Sequence, residues 1–184
     1  MTEKEEYAII LDFLKHGYPE DSKPLHKKMP VAQAIGETHF VLLELVPKPE
    51  IFLQPIERVY IGEGKREKIH HIIGKIIPSK LTQTAQNELP FVIKELILKN
   101  PDKFINFFNI AGPINMRSHQ LELLPGIGKK HMLQILDARK DGNFKSFIDL
   151  KTRVALIPDP EKTITKRILM ELEGNEKYTI FVEK

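Results

Sequence analysis

A short turn between two apolar segments constrains the fold of this chain more than any other feature. The turn is Leu124-Pro125-Gly126-Ile127-Gly128-Lys129-Lys130, inside the segment 116–140. Apolar residues recur at helical spacing on both sides of it: Met116, Leu121 and Leu124 upstream, and Met132, Leu133, Ile135 and Leu136 downstream. Because the connection is so short, the spacing predicts a tight hairpin of two helices that share one core.

The same turn has the composition of a phosphate-binding site. Gly126 and Gly128 permit backbone conformations closed to other residues and let a bulky anion approach the main chain. Ile127 is expected to enter the crevice between the helices. The next helix begins directly after the turn, so its unpaired N–H groups and positive dipole end would face the anion. Lys129 and Lys130 add charge there, and such a contact holds a nucleic-acid backbone without reading its sequence.

The stretch LLPGIGKKHMLQIL resembles the helix-hairpin-helix motif of non-sequence-specific DNA- and RNA-binding proteins. The resemblance covers the segment 116–140 and implies a nucleic-acid contact at Pro125, Gly126, Ile127, Gly128, Lys129 and Lys130. The alternative is a glycine-containing turn that only packs two helices together and binds nothing.

A degenerate second copy of this arrangement follows. Ser146 and Asp149 fit a capping box for a helix over 147–154, and Asp159-Pro160 begins another helix that Gly174 ends. The turn between them contains an acid and no glycine: Leu156-Ile157-Pro158-Asp159-Pro160. We therefore expect the second copy to serve packing alone.

The first eighty residues have the pattern of strands. Five short apolar runs separated by turn residues lie at 7–14, 31–35, 39–46, 57–61 and 69–77. The glycine-rich sequence between the last two predicts a hairpin, and Gly74 is placed where a strand bulges or bends. The pattern predicts a small open β barrel, resembling an OB-type fold, over residues 1–80.

This predicted barrel contains candidate nucleic-acid contacts of its own. Lys65, Arg66 and Lys68 accompany the aromatic residues Tyr18, Phe40, Phe52 and Tyr60, a combination that can hold a single strand by stacking and charge. Aromatic residues on strands more often belong to a core, so both interpretations stay open.

From residue 81 the period becomes helical. Thr82 or Thr84 is expected to cap a short helix, and Pro90 to begin or kink a second one that ends at Lys99. Asn100-Pro101 opens the next helix, whose phenylalanines Phe104, Phe107 and Phe108 predict a core face. Residues 178–182 alternate like an edge strand that returns to the barrel. The fold class is α+β, with a β domain at 1–80 and a helical domain at 81–184.

Composition excludes several classes of protein. The 184 residues contain no cysteine, which rules out disulfides and thiolate metal sites, and no histidine pattern suggests a metal centre. The acidic first residues lack the blocks of a signal peptide, and no apolar run is long enough to span a bilayer. We expect a cytoplasmic protein without metal or cofactor, and its net charge of +3 hints only weakly at an acidic partner.

The strand-rich region with FVLLELVPKP and ERVYIGEGKREKIHHIIGKI, followed by LELLPGIGKKHMLQIL, resembles one family over nearly the whole chain. It is similar to the archaeal family called domain of unknown function 655, usually described as RNA-binding. The resemblance implies an OB-like barrel joined to a helix-hairpin-helix part. It also implies an archaeal, cytoplasmic source and a link to ribosomal RNA or to the transcription or translation machinery.

We therefore expect a monomeric, non-catalytic nucleic-acid-binding protein, with RNA favoured over DNA. Two alternatives stay open. Some base-excision enzymes carry this hairpin and a catalytic Asp some twenty residues later, and Asp149 lies near that offset, although it also fits a helix cap. The other alternative is a protein-interaction module that uses the hairpin for packing, with an exposed apolar patch as its signature.

Overall fold

The computed structural model of the protein describes residues 4–183. Residues 1–3 and 184, which the predicted domains include, lie outside the described residues. The chain forms two compact units. The first runs from the N-terminus to Val92 and includes the residues from Glu171 onward; the second is Ile93–Met170.

Five antiparallel strands form a sheet that curls into a half-barrel in the first unit. They are β1 (Tyr7–Leu14), β2 (Val31–Gly36), β3 (Leu42–Pro47), β4 (Arg58–Tyr60) and β5 (Ile69–Lys75). The strand order is β4-β1-β2-β3-β5. Alternating residues such as Ala8 and Ile10 of β1 and Ala32 and Ala34 of β2 are fully buried in its core. The α+β class and the five predicted strands are confirmed.

The predicted hairpin between β4 and β5 is wrong, because these strands occupy opposite edges of the sheet. The connecting residues fold over Tyr60 instead. Its hydroxyl accepts the N–H of Gly64 at 3.0 Å, and a Cβ at Gly62 would lie 2.5 Å from that hydroxyl. The expected bulge near Gly74 is confirmed, since the ladder to β3 shifts register between Gly74 and Ile72.

A polar side chain lies at the centre of this apolar sheet. Gln33 of β2 is fully buried, and its Nε2 donates to the Tyr18 hydroxyl and to the Lys80 carbonyl, both at 2.9 Å. Its Oε1 accepts the N–H of Thr82 at 2.8 Å, while the Thr82 hydroxyl donates to Asp12 of β1 at 2.6 Å. These hydrogen bonds fix the chain on the sheet just before the first helix begins.

The helices are α1 (Gln83–Lys99), α2 (Pro101–Ile110), α3 (Lys129–Ala138), α4 (Phe147–Arg153) and α5 (Pro160–Leu172). Thr82 caps α1 as expected, its hydroxyl accepting the N–H of Ala85 at 3.1 Å. The predicted start of a second helix at Pro90 is wrong, because α1 continues through this residue, while the alternative of a kink there stays a prediction. Buried residues on both sides, including Leu89 and Ile93, form one apolar face whose packing outweighs the lost hydrogen bond. Phe104, Phe107 and Phe108 are buried, which confirms the predicted core face.

The predicted C-terminal strand is also wrong, since residues 178–182 form no strand. The buried carboxylate of Glu171 accepts the backbone N–H groups of Ile180, Phe181 and Val182 at 2.7–2.9 Å. The Glu171 carboxylate therefore occupies the backbone N–H groups that would otherwise donate to a neighbouring strand. The segment does return to the first unit, where Glu183 donates its N–H to the His39 carbonyl at 3.4 Å.

Candidate nucleic-acid interface

A β hairpin and one turn of 3₁₀ helix lead into the glycine turn. The strands are β6 (Pro113–Asn115) and β7 (Ser118–His119), and the 3₁₀ turn is Gln120–Leu123. The predicted upstream α-helix is therefore wrong, and Met116 lies fully exposed at the tip of the β hairpin. The other two apolar residues of that predicted face, Leu121 and Leu124, are buried.

Local hydrogen bonds explain why the upstream helix does not form. The Asn115 side chain accepts the N–H of Arg117 at 2.8 Å and closes the β hairpin. His119 then caps the 3₁₀ turn, its Nδ1 accepting the N–H of Leu121 at 3.1 Å, while Glu122 accepts the His119 N–H at 3.0 Å. Leu124 must be extended because Pro125 follows it, so only four residues remain for a helix.

Gly126 is the residue of the turn whose backbone conformation favours glycine. Its φ is +87°, in the left-handed region, and an added Cβ would lie 3.3 Å from Cγ of Pro158. Gly128 has extended backbone with φ −95°, and nothing lies within 4 Å of its Cβ position, so the expectation of a special conformation there is wrong. Ile127 is buried as predicted, and its N–H donates to the Leu124 carbonyl at 3.0 Å.

The N-terminus of α3 presents uncapped donors and two lysines. Gly128 is its N-cap residue and has no side chain with which to satisfy the first amides of the helix. Lys129 and Lys130 occupy the first two positions, and both are exposed. Neither lysine makes an ion pair or a hydrogen bond with the part of the chain that the structure describes. The exposed start of α3 thus combines unpaired backbone N–H groups, the positive end of the helix dipole and two lysine charges.

An open groove of about 580 Å³ lies beside the turn. It is lined by residues 122–128 together with Arg167 and Met170 of α5. Arg167 is only 2% exposed, and its guanidinium donates to the Leu123 carbonyl at 3.1 Å. This hydrogen bond ties the residue before the turn to α5 and holds the turn in place.

The second turn, residues 156–160, resembles the first turn, residues 124–130, in backbone conformation but differs from it in chemistry. Val154 is buried like Leu124, and Leu156 has a φ of +58°, matching the left-handed Gly126 two residues after Leu124. At the start of α5, however, the Asp159 carboxylate accepts the N–H groups of residues 161 and 162 at 3.1 and 3.4 Å. The anion site of the second helix is therefore already filled by its own chain.

Lys65, Arg66 and Lys68 do not form one free cationic cluster. Lys65 is exposed, whereas Arg66 donates through Nε to the Gly62 carbonyl at 2.9 Å. Lys68 forms an ion pair with Glu57. Lys65 and Lys68 line a cavity of about 520 Å³ together with Tyr7, Arg58 and Tyr60. Of the three charges, the structure thus pairs that of Lys68 with an acid, while Arg66 has one N–H in a hydrogen bond to a neutral carbonyl and Lys65 has no partner among the described residues.

Ser146 caps α4 as expected, but the predicted capping box with Asp149 forms only in part, since the Asp149 carboxylate accepts the N–H of Lys145 instead of that of Ser146. The Ser146 hydroxyl accepts the N–H of Asp149 at 3.0 Å. The Asp149 carboxylate accepts the N–H of Lys145 at 2.9 Å and a guanidinium N–H of Arg153 at 3.3 Å. These two donors hold the pKa of Asp149 below its ordinary value. Both carboxylate partners are local to α4.

Within residues 4–183, no group of three or more metal-binding side chains comes together. None of the helices in that range combines the length and the apolar character needed to cross a membrane.

Comparison with known proteins gives consistent matches along the chain. The family described as "Protein of unknown function (DUF655)" matches residues 4–183. An uncharacterized protein of Methanocaldococcus jannaschii is 43% identical over 181 residues, which cover 97% of this chain and 80% of that protein. The crystal structure of an Archaeoglobus fulgidus protein assigned to DUF655 has a TM-score of 0.90 and 42% identity, covering 97% of this chain and 100% of its own. The chain therefore belongs to the DUF655 family, which has archaeal members.

Proposed function

We propose that this protein is a non-catalytic RNA-binding protein that holds the phosphate backbone at residues 125–130, a turn like that of a helix-hairpin-helix in which a 3₁₀ turn takes the place of the first helix. The observation that carries the proposal is the uncapped N-terminus of α3, which directly follows Gly128 and bears Lys129 and Lys130, neither with a partner among residues 4–183. Each of these features alone is common in proteins. Their coincidence at one exposed turn favours an anion with several oxygens, and a phosphodiester is such a group.

The tandem arrangement supports a macromolecular ligand. The two turns are neighbours, since a Cβ atom added at Gly126 would lie 3.3 Å from Cγ of Pro158. A phosphate at the first turn would belong to a strand that continues past both turns. A free metabolite would need an enclosed pocket to bury most of its surface, and the groove beside the turn is wide open.

We favour RNA over DNA as the ligand because the chain also contains the five-stranded antiparallel half-barrel. OB-like sheets hold unpaired bases by stacking, and RNA displays such bases in loops and bulges. Arg58 in that unit lies 3.4 Å from the centre of the Tyr7 ring and is held there by Glu37. Lys65 adds a charge next to these residues, so this surface is the proposed second contact.

The test is fluorescence anisotropy of the full chain with single-stranded RNA, hairpin RNA and duplex DNA, comparing wild type with Lys129→Glu/Lys130→Glu. We expect the charge reversal to weaken RNA binding at least about tenfold, because two charge-assisted contacts to phosphate become repulsive. The control is Lys94→Glu/Lys145→Glu, which changes the net charge equally at two exposed positions outside the turn. Equal affinities of the two variants and wild type would overturn the proposal, and tighter binding to duplex DNA would replace RNA by DNA.

A protein-interaction module is the second candidate, favoured by exposed apolar side chains in the second unit. Ile110, Met116 and Ile148 are each more than two-thirds exposed. The same titrations decide between the two functions. Failure of wild type to bind any of the three nucleic acids, even at low salt, would move the assignment to this candidate.

A further inference from the structure

The second turn exposes an apolar side chain where the first turn exposes glycine and lysine. Leu156 is 89% exposed and takes a φ of +58°. A left-handed conformation costs a residue with a side chain roughly 1–2 kcal/mol, which glycine or asparagine would largely avoid. A strained and solvent-exposed leucine contributes little to folding, so its side chain is available for contact with a ligand.

The chemistry of the second turn excludes a phosphate there. Pro160 has no backbone N–H, and the next two amides of α5 already donate to the Asp159 carboxylate. A phosphate at this helix would have to displace that carboxylate against charge repulsion. A ligand that reaches the second turn can therefore meet it only through an apolar surface.

Leu156 lies close to the first turn. Cγ of Pro158 lies 3.3 Å from the position that a Cβ atom at Gly126 would occupy. Two residues of extended chain span at most about 7 Å, so the Cα atom of Leu156 lies within that distance of the Cα atom of Pro158. A strand whose phosphate sits at Gly126 to Lys130 thus places a neighbouring nucleotide within reach of Leu156.

We propose that Leu156 makes an apolar contact with the ribose or base of a nucleotide next to the one whose phosphate the first turn holds. The inference rests on the proposed function and adds a second type of contact to it. The first turn provides charge, and the second provides contact with the uncharged part of the same strand. The second hairpin then has a binding role as well as a packing role.

The test uses three substitutions of Leu156 in the full chain. Leu156→Asn keeps the side-chain size and removes its apolar character, and Leu156→Gly removes the side chain. Both residues tolerate a positive φ, so neither variant is expected to melt below wild type. Leu156→Met keeps an apolar side chain. The control is Ile148→Asn, at an isoleucine of the same unit that is 75% exposed.

Affinity for single-stranded RNA is measured by anisotropy over a range of salt concentrations. We expect the Asn and Gly variants to bind roughly five- to tenfold more weakly, from the loss of partial burial of one leucine, with an unchanged log–log salt slope. Leu156→Met and Ile148→Asn are expected to bind like wild type.

The outcomes separate this inference from the proposed function. If Lys129→Glu/Lys130→Glu loses binding while all Leu156 variants bind like wild type, the phosphate site stands and the apolar contact is overturned. A smaller salt slope in the Leu156 variants would also overturn it, because the substitution would then act through the phosphate contacts. If wild type binds no RNA, both proposals fail together.

Discussion

His119 shapes the approach to the glycine turn through its neutral imidazole. The ring is buried, and Nδ1 must be unprotonated to accept the N–H of Leu121. Burial, reinforced by the nearby charge of Arg139, lowers the pKa of His119. His119 therefore binds a proton less readily in the folded protein than in the unfolded chain.

This difference predicts a pH dependence of stability. Well above about pH 6.5, His119 is neutral in both the folded and the unfolded state, and the cap contributes fully. As the pH falls from there toward the lowered pKa of the folded state, the unfolded state binds more protons and stability is lost. We expect urea unfolding at pH 5.5 to show about 0.5–1 kcal/mol less stability than at pH 7.5 from this cap. In His119→Asn, which keeps a capping oxygen without a titrating group, this part of the loss should vanish; an identical loss in both proteins would contradict the account.

At the scale of elements, the join between the half-barrel and α1 depends on one buried amide. Gln33 is fully buried and satisfies the Lys80 carbonyl and the Thr82 N–H. An apolar side chain in its place would leave these two part-buried backbone groups without the amide that pairs with them.

Gln33→Leu is therefore expected to lower the free energy of unfolding by about 2–4 kcal/mol, although leucine is apolar and of similar size. Urea denaturation followed by circular dichroism measures it. Gln83→Leu, an exposed position on α1, is the matched control and should change stability by less than about 0.5 kcal/mol. A Gln33 variant as stable as the control would show that the amide contributes nothing to this join.

The elements also show how far sequence patterns predict this fold. The strand runs, the phenylalanine face of α2 and the start of α3 follow directly from periodicity and turn residues. The helix expected at 116–124 does not form, because local hydrogen bonds of Asn115 and His119 compete with a weak apolar repeat. Pro90 was expected to begin or kink a second helix, but no new helix begins there, because buried residues on both sides of Pro90 pack as one face of α1. The glycine-rich sequence between β4 and β5 predicted a hairpin, but these two strands do not pair. Which strands pair depends on contacts between residues far apart in the sequence, and local turn residues do not reveal those contacts.

The candidate site was predictable to a similar extent. The exposed lysines and the buried Ile127 follow from the motif. The left-handed Leu156 could not be found from its residue type, because leucine rarely adopts that conformation. The loss of Arg66 and Lys68 to internal partners was equally hidden, since it depends on where Gly62 and Glu57 lie in the folded chain.

For the whole molecule, charge is nearly balanced, at 28 basic against 25 acidic residues. A diffuse attraction between the whole protein and a polyanion is therefore weak, and binding has to depend on local charges that lack partners. In the proposed function, Lys129 and Lys130 of the first turn supply these charges. The salt dependence of binding reports such local phosphate contacts directly, because each neutralised phosphate releases counterions.

The decisive measurement is the log–log salt slope of single-stranded RNA binding for wild type and Lys129→Glu/Lys130→Glu. One turn that neutralises about two to four phosphates predicts a wild-type slope of about −1.5 to −3.5. The variant should have a slope smaller by about 1.5 in magnitude, while Lys94→Glu/Lys145→Glu keeps the wild-type slope. Equal slopes for all three proteins would contradict the claim that the glycine turn holds the phosphate backbone.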